Sequence, residues 1–317
     1  MNRRNFISAS AALAAAGMLD VNQLFANAGL LNSIGIQFFS LPKFLEDDFS
    51  GSVQMLSKMG YTEIEMYGPY PFSAQSAIDR WASLKPLLGF SGSGYFGKTA
   101  KEVKKIFDDN KMKVPSVHTD FDTLQTKMAQ LGEAAQTIGF TYVVLPALPA
   151  EYRKTLDDYK KTADVFNSIG AQALKYGLRF AYHNHGYGMK ELNGKIPLQM
   201  LIENTDPKSV FLEMDLFWTV AGSGDPLMYF EKYPGRYKMM HVKNMKPIAK
   251  FSGDGGDGKQ WTELFPNMTT TGDGDLDLPS ILKSAKKSRV DHFFVEQDRV
   301  NHPDIALKKS IDYLKTL

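Results

Sequence analysis

Phe180-Ala181-Tyr182-His183-Asn184-His185 is an aromatic-rich, strand-like run that closes on two histidines one residue apart. Side chains alternate across a strand, so His183 and His185 share one face and Asn184 takes the other. Three later runs end the same way: Phe211-Leu212-Glu213-Met214-Asp215, Lys238-Met239-Met240-His241-Val242-Lys243 and Phe293-Phe294-Val295-Glu296. The same parity pairs Glu213 with Asp215, His241 with Lys243, and Phe294 with Glu296. Four successive strands carrying ionisable groups at their C-terminal ends fit a parallel β/α barrel, where those ends open into one mouth.

The rest of the chain agrees. Strand candidates lie at Ile34–Phe38, Tyr61–Met66, Val114–Val117 and Tyr142–Leu145, then Leu178–Tyr182, Val210–Met214, Tyr237–Val242 and His292–Glu296. Helical patterns separate them. The spacing of Phe121, Leu124, Met128, Leu131, Ala135 and Ile138 predicts one amphipathic helix. Another is expected over 99–110, and a last one opening at Pro303 with Ile311 and Leu314 inward. Eight strands alternating with helices, and no Gly-rich nucleotide fingerprint after the first, predict a closed α/β barrel, (β/α)8, over residues 29–317 as a single domain. Two stretches interrupt the rhythm: the Gly-rich segment 89–97 and the polar segment 245–277. The second follows the seventh strand, so it is expected to act as a lid carrying substrate contacts.

Composition narrows the function. A net charge of +2 without a basic stripe gives no reason to expect a nucleic-acid partner. The absence of cysteine excludes disulfides, thiolate metal sites and thiol nucleophiles. At the N-terminus, Arg3-Arg4-Asn5-Phe6 precedes a small apolar run and Ala26-Asn27-Ala28. This predicts an export signal of the twin-arginine type over residues 1–28, a periplasmic mature protein, and no stable membrane association after cleavage.

One strand register aims His183, Asp215, His241 and Glu296 at a common point. Two imidazoles and two carboxylates suit one divalent cation, Mn, Co, Zn or Fe, better than Ca or Mg. Each residue also has a plainer reading: a strand-end histidine can be a hydrogen-bonded structural residue, and Glu296 can pair with Lys243.

The motifs Tyr182-His-Asn-His185, Glu213-Met-Asp-Leu-Phe-Trp218, His241-Val-Lys243, Thr271-Gly-Asp-Gly-Asp-Leu-Asp277 and Val295-Glu-Gln-Asp298 resemble the xylose-isomerase-like TIM barrel superfamily. The resemblance lies in its sugar phosphate isomerase/epimerase branch. It implies that Asp215, His241 and Glu296 ligate the metal, with His183 standing where epimerase relatives usually carry glutamate. It also implies a catalytic role for His185, which matches a catalytic histidine of dehydratase relatives. Trp218 stands where nuclease relatives have a further zinc-binding histidine, which argues against the DNA-repair branch.

These readings predict a metal-dependent sugar isomerase or epimerase. Glu296 or His185 would take a proton next to a carbonyl, with the enediolate stabilised by the metal and by Lys243. Glu65, His118 and Trp218 are candidate sugar contacts. The alternatives are a keto-sugar (3-keto-glycoside) lyase or hydratase on the same site, or a non-catalytic sugar-binding barrel. The expected partner is a small sugar or keto-sugar, and the chain is a candidate homodimer.

Overall fold

The computed structural model describes residues 29–317; the export signal expected over 1–28 lies outside the described residues. Eight parallel strands close into a barrel: β1 (Gly35–Gln37), β2 (Glu63–Tyr67), β3 (Lys113–His118), β4 (Tyr142–Leu145), β5 (Arg179–His183), β6 (Val210–Asp215), β7 (Tyr237–Val242) and β10 (His292–Val295). Each pairs with its sequence neighbour, and β10 returns to β1 to complete the ring. The expected fold is the observed one. Two short strands, β8 (Asn244–Met245) and β9 (Met268–Thr269), form a separate antiparallel pair.

Inside the ring, Tyr142, Val144, Ala181, Met239 and Phe294 pack as an apolar plug. Gly35 makes room for it: a Cβ there would lie 2.4 Å from the Phe294 ring. On β5, β7 and β10 the next residues of the same parity are His183, His241 and Glu296, so the plug is the floor on which the ionisable cluster stands. Outside the ring, helices α2 (Phe49–Met59), α4 (Ala100–Asp109), α7 (Leu156–Lys175), α12 (Leu278–Lys287) and α13 (Pro303–Leu314) bury Val53, Leu56, Val103, Phe166, Leu282 and Leu307 completely. Each such side chain contributes about 1.5–3 kcal/mol by leaving water. Thr99 and Glu102 form a reciprocal capping box that starts α4.

Local structure departs from expectation in two places. The stripe from Phe121 to Ile138 is split into α5 (Phe121–Thr126) and α6 (Met128–Ile138) by Lys127, at φ −126°. The Thr126 hydroxyl donates back to the Asp122 carbonyl, a local bond that competes with helix continuation. The apolar face survives the kink, with Phe121, Leu124, Met128, Leu131 and Ile138 all buried. The segment 245–277 is an ordered excursion containing α11 (Gly258–Leu264), with a small core of its own. Met245, Phe251, Leu264 and Met268 pack there on Phe217, Trp218 and Ala221 of α9 (Leu216–Ala221).

Candidate metal centre and cavity

The lower tier of the cluster is held by hydrogen bonds. Glu65, fully buried, accepts from Gln37 Nε2 at 2.8 Å and from the Ser116 hydroxyl. His118 Nε2 lies 2.8 Å from Glu213 Oε2 and 3.0 Å from Glu65 Oε2. His183 Nδ1 is 3.1 Å from the same Glu213 oxygen, and His241 Nε2 is 2.6 Å from Glu65 Oε2. Strand register explains the meeting, because His183 pairs with Glu213 across β5–β6 and Asp215 with His241 across β6–β7.

The upper tier centres on Lys243. Its Nζ is 2.6 Å from Glu296, 2.8 Å from Asp298 and 3.0 Å from Asp215. The second Glu296 contact is His241 Nδ1, at 2.7 Å. Asp215 also caps α9, its Oδ1 accepting the Trp218 N–H at 2.9 Å. This fixes the carboxylate and leaves Oδ2 turned toward the cluster.

Burial and charge set the protonation states. Burial pushes the Glu296 carboxyl up, but the charges of Lys243 and His241 outweigh it and hold the group well below the usual carboxylate range. Glu213 is likewise opposed by burial and by Glu65, yet His241 and His118 hold it down to about 2. Burial raises Asp298 to about 6 and raises Asp215, in both cases against the pull of Lys243. Burial, with the Lys243 charge next, depresses His185 to about 3, so its imidazole is neutral. Burial and His241 hold His183 well below its ordinary value.

The donor set fits a divalent cation. Three carboxylates (Asp215, Glu296, Asp298) contact the Lys243 ammonium, and two more (Glu65, Glu213) lie in the tier below against His118, His183 and His241. Glu213 Oε1 is buried without a hydrogen-bond partner, and Asp215 Oδ2 makes no hydrogen bond of good geometry, its one close cation being the Lys243 ammonium at 3.0 Å. Such under-satisfied acceptors are costly unless something positive faces them. Asp215, His241 and Glu296 each offer a ligand atom within 4.8 Å of the others, and His118, His183, Glu213 and His241 form a second such group. Asp215 Oδ2 is 3.6 Å from His183 Nε2 and 3.8 Å from His241 Nδ1. A tetrahedral ion with bonds of about 2.0–2.2 Å sets its donors roughly 3.3–3.6 Å apart. The buried His/Glu/Asp cluster could therefore bind a metal ion.

The sequence-predicted residues fall into three places. Asp215, His241 and Glu296 stand together, and His183 touches them through Nε2 while its Nδ1 joins the deeper group. His118, His185 and Lys243 line a cavity of about 630 Å³ above the cluster, along with Glu296 and His241. Glu65 and Trp218 do not line that cavity. Glu65 lies beneath the site, and Trp218, 2% exposed, stacks on Phe251 at 5.7 Å behind His185. Trp261, from the 245–277 excursion, stacks on His185 at 4.8 Å. The sequence reading left out Glu213, although its parity with Asp215 signalled it; a pairing of Lys243 with Asp298, the plainer reading of that lysine, is present at 2.8 Å.

Known proteins place this arrangement in context. The inosose dehydratase of Clostridium perfringens (strain 13 / Type A) is 24% identical, over 75% of this chain and 87% of its own. A sugar phosphate isomerase/epimerase from Parabacteroides distasonis ATCC 8503 superposes with a TM-score of 0.68 at 24% identity, covering 89% of this chain and 93% of its own. The IOLI protein, solved with a bound zinc atom, superposes with a TM-score of 0.62 at 16% identity, covering 90% and 95%. The first two are by name a dehydratase of inosose and an isomerase/epimerase of sugar phosphates. The match to the xylose isomerase-like TIM barrel family runs from residue 53 to 317, taking in the strand-end cluster and most of the ring that carries it, and the chain belongs to that family.

Proposed function

We propose that this protein is a divalent-metal-dependent enzyme that removes a proton beside the carbonyl of a sugar or keto-sugar. The observation that carries this reading is the Glu296 carboxylate. It lies at the cavity floor, ionised, 2.6 Å from Lys243 Nζ and 2.7 Å from His241 Nδ1, and shares that Lys243 ammonium with Asp215 Oδ2, 3.0 Å from it. Asp215, His241 and Glu296, with His183, would hold the cation, a zinc, manganese, cobalt or iron ion by donor chemistry. Such an ion supplies Lewis acidity, which lowers the pKa of the C–H next to a carbonyl. Glu296 takes the proton and Lys243 offsets the negative charge that develops on oxygen. The neutral His185 can donate or accept a hydrogen bond to the reacting hydroxyls. Returning the proton to the opposite face gives an epimer, and returning it to the next carbon gives an isomer.

A second reading, loss of a β-hydroxyl from a keto-sugar, is favoured by the asymmetry of the site. Glu296 shares the cavity with the strand-five imidazoles of His183 and His185 rather than with a second strand-five carboxylate, so acid and base are chemically different groups. The dehydratase relative supports the same choice. The N-terminal Arg3-Arg4 segment supports export to the periplasm as part of this proposal. Incubating metal-loaded protein with a panel of keto-sugars in deuterated water tests the core of it. Deuterium uptake at the carbon next to the carbonyl is expected; its absence from every substrate, with the metal bound, would overturn the enolisation reading.

A further inference from the structure

Helix α3 (Gln75–Leu88) has no buried residue, unlike the long helices that pack against the ring. It nevertheless carries an ordered face. Ala77, Arg80, Trp81 and Leu84 follow the i, i+3, i+4, i+7 spacing of a single stripe, and all four line the cavity above the cluster. In the other long helices the corresponding stripe is covered by the barrel. Here what lies opposite it is the cavity. Trp81 is held in place, its Nε1 donating to the Ser91 carbonyl at 2.9 Å, with Tyr67 5.9 Å away.

The cavity has two unlike ends. Charged and imidazole groups form the floor, while the α3 face and Tyr67 make an aromatic and aliphatic side wall. Its volume of about 630 Å³ falls among clefts that hold ligands of roughly drug size, about 300–1,000 Å³, more than one sugar ring fills. Pyranose and aryl rings both offer an apolar face of the kind that packs on an indole.

We infer that the α3 face is a second subsite, and that the substrate is a glycoside whose non-reacting ring packs on Trp81 while its other ring meets the ionic floor. Arg80, exposed at the rim of that face, reaches the hydroxyls of the second ring. This inference rests on the proposed enolisation of a sugar, since it assigns the second half of the same ligand.

The test is binding by titration calorimetry to the metal-loaded full chain, comparing D-glucose, phenyl β-D-glucoside and cellobiose. An advantage of about tenfold or more for either two-ring probe is expected. Phenyl glucoside alone gaining would identify an aryl aglycone, and cellobiose alone a second sugar. Trp81→Ala should abolish the advantage, Trp81→Phe should keep most of it, and Leu84→Ala should reduce it by a smaller factor. Equal affinity for one-ring and two-ring probes, or an advantage that survives Trp81→Ala, would overturn the subsite. Melting temperatures show whether each variant is folded, and the Trp81→Phe and Leu84→Ala comparisons decide the matter if Trp81→Ala is not. Deuterium exchange on free keto-sugars by the wild type is scored separately. Its absence counts against the catalytic reading, and a lost ring advantage counts against the subsite.

Discussion

The Nε2 nitrogen of His241 lies 2.6 Å from Oε2 of Glu65, on the side of the ring opposite Glu296 and Asp215. Both ring nitrogens face carboxylates, so without a cation each donates, Nε2 to Glu65 and Nδ1 to Glu296; a cation in the upper tier would take the place of the Nδ1 proton while the bond to Glu65 keeps the ring oriented. A ligating histidine is oriented in this way by the partner of its other nitrogen. Glu65, fixed by Gln37 and Ser116, is thus a positioning residue. Glu65→Ala is expected to weaken divalent-cation affinity by about 10–100-fold. Equilibrium dialysis with metal analysis checks this, and unchanged affinity would remove Glu65 from that role.

Glu296→Gln keeps the shape of the side chain and removes its capacity as a base. Turnover and solvent deuterium exchange should fall by about 10²–10⁴-fold. Substrate binding should change far less. A variant that exchanges deuterium at the wild-type rate would pass the role of base to another group, His185 first.

The metal-stripped protein should lose stability between neutral and alkaline pH. Burial disfavours the His118 cation, but Glu65 and Glu213 outweigh it and raise the group from 6.5 to about 9. A raised histidine stabilises the fold fully below its unfolded pKa and ceases to do so as pH climbs through the folded one. The loss therefore falls between pH 6.5 and 9, and is worth a few kcal/mol at most. Thermal melts of His118→Asn across that range should be flatter than those of the wild type. Parallel curves would show that His118 is not the group responsible.

Gly186 follows His185 at φ +83°, and a Cβ there would sit 2.3 Å from the Trp218 carbonyl oxygen. Gly186→Ala combines left-handed backbone strain with a clash against rigid main chain. A destabilisation of about 2–4 kcal/mol is expected in denaturant titrations, with activity falling as His185 is displaced. A cost under about 0.5 kcal/mol would mean that the β5–α8 loop, which precedes α8 (Pro197–Glu203), shifts freely.

Trp261→Ala removes the ring stacked on His185. Turnover should drop more than affinity for substrate, and Trp261→Phe should restore much of it. Equal loss in both variants would indicate a packing role for the excursion rather than support of the imidazole.

Much of this architecture was legible because strands alternate strictly. Once His183 and His185 were read as facing inward, the inward set on β6, β7 and β10 followed, and the register carries it out. What parity does not report is depth. Glu65 and Asp215 both point inward, but Glu65 sits a tier lower, beneath His118 and His241, where no sugar reaches it. Nor does local pattern report what covers a side chain. Trp218 follows a strand end and reads as a mouth residue, but Phe251, from a segment 33 positions on, lies flat against it. The 245–277 excursion looked like a polar loop because its apolar residues are sparse. They suffice because α9 supplies the other half of their small core. The break at Lys127 escaped for a related reason, since a kink leaves the apolar stripe of α5 and α6 unchanged.

The ring is sealed by β10 against β1, which pairs Gly35 with Phe294 and Ile36 with Val295. A nascent chain emerging from the ribosome therefore carries an open, curling sheet until its eighth barrel strand has left the exit tunnel. The plug lacks Phe294 and the cluster lacks Glu296 up to that moment. Closure and completion of the ionisable cluster thus wait on the same strand, and a chain stalled before residue 296 has neither.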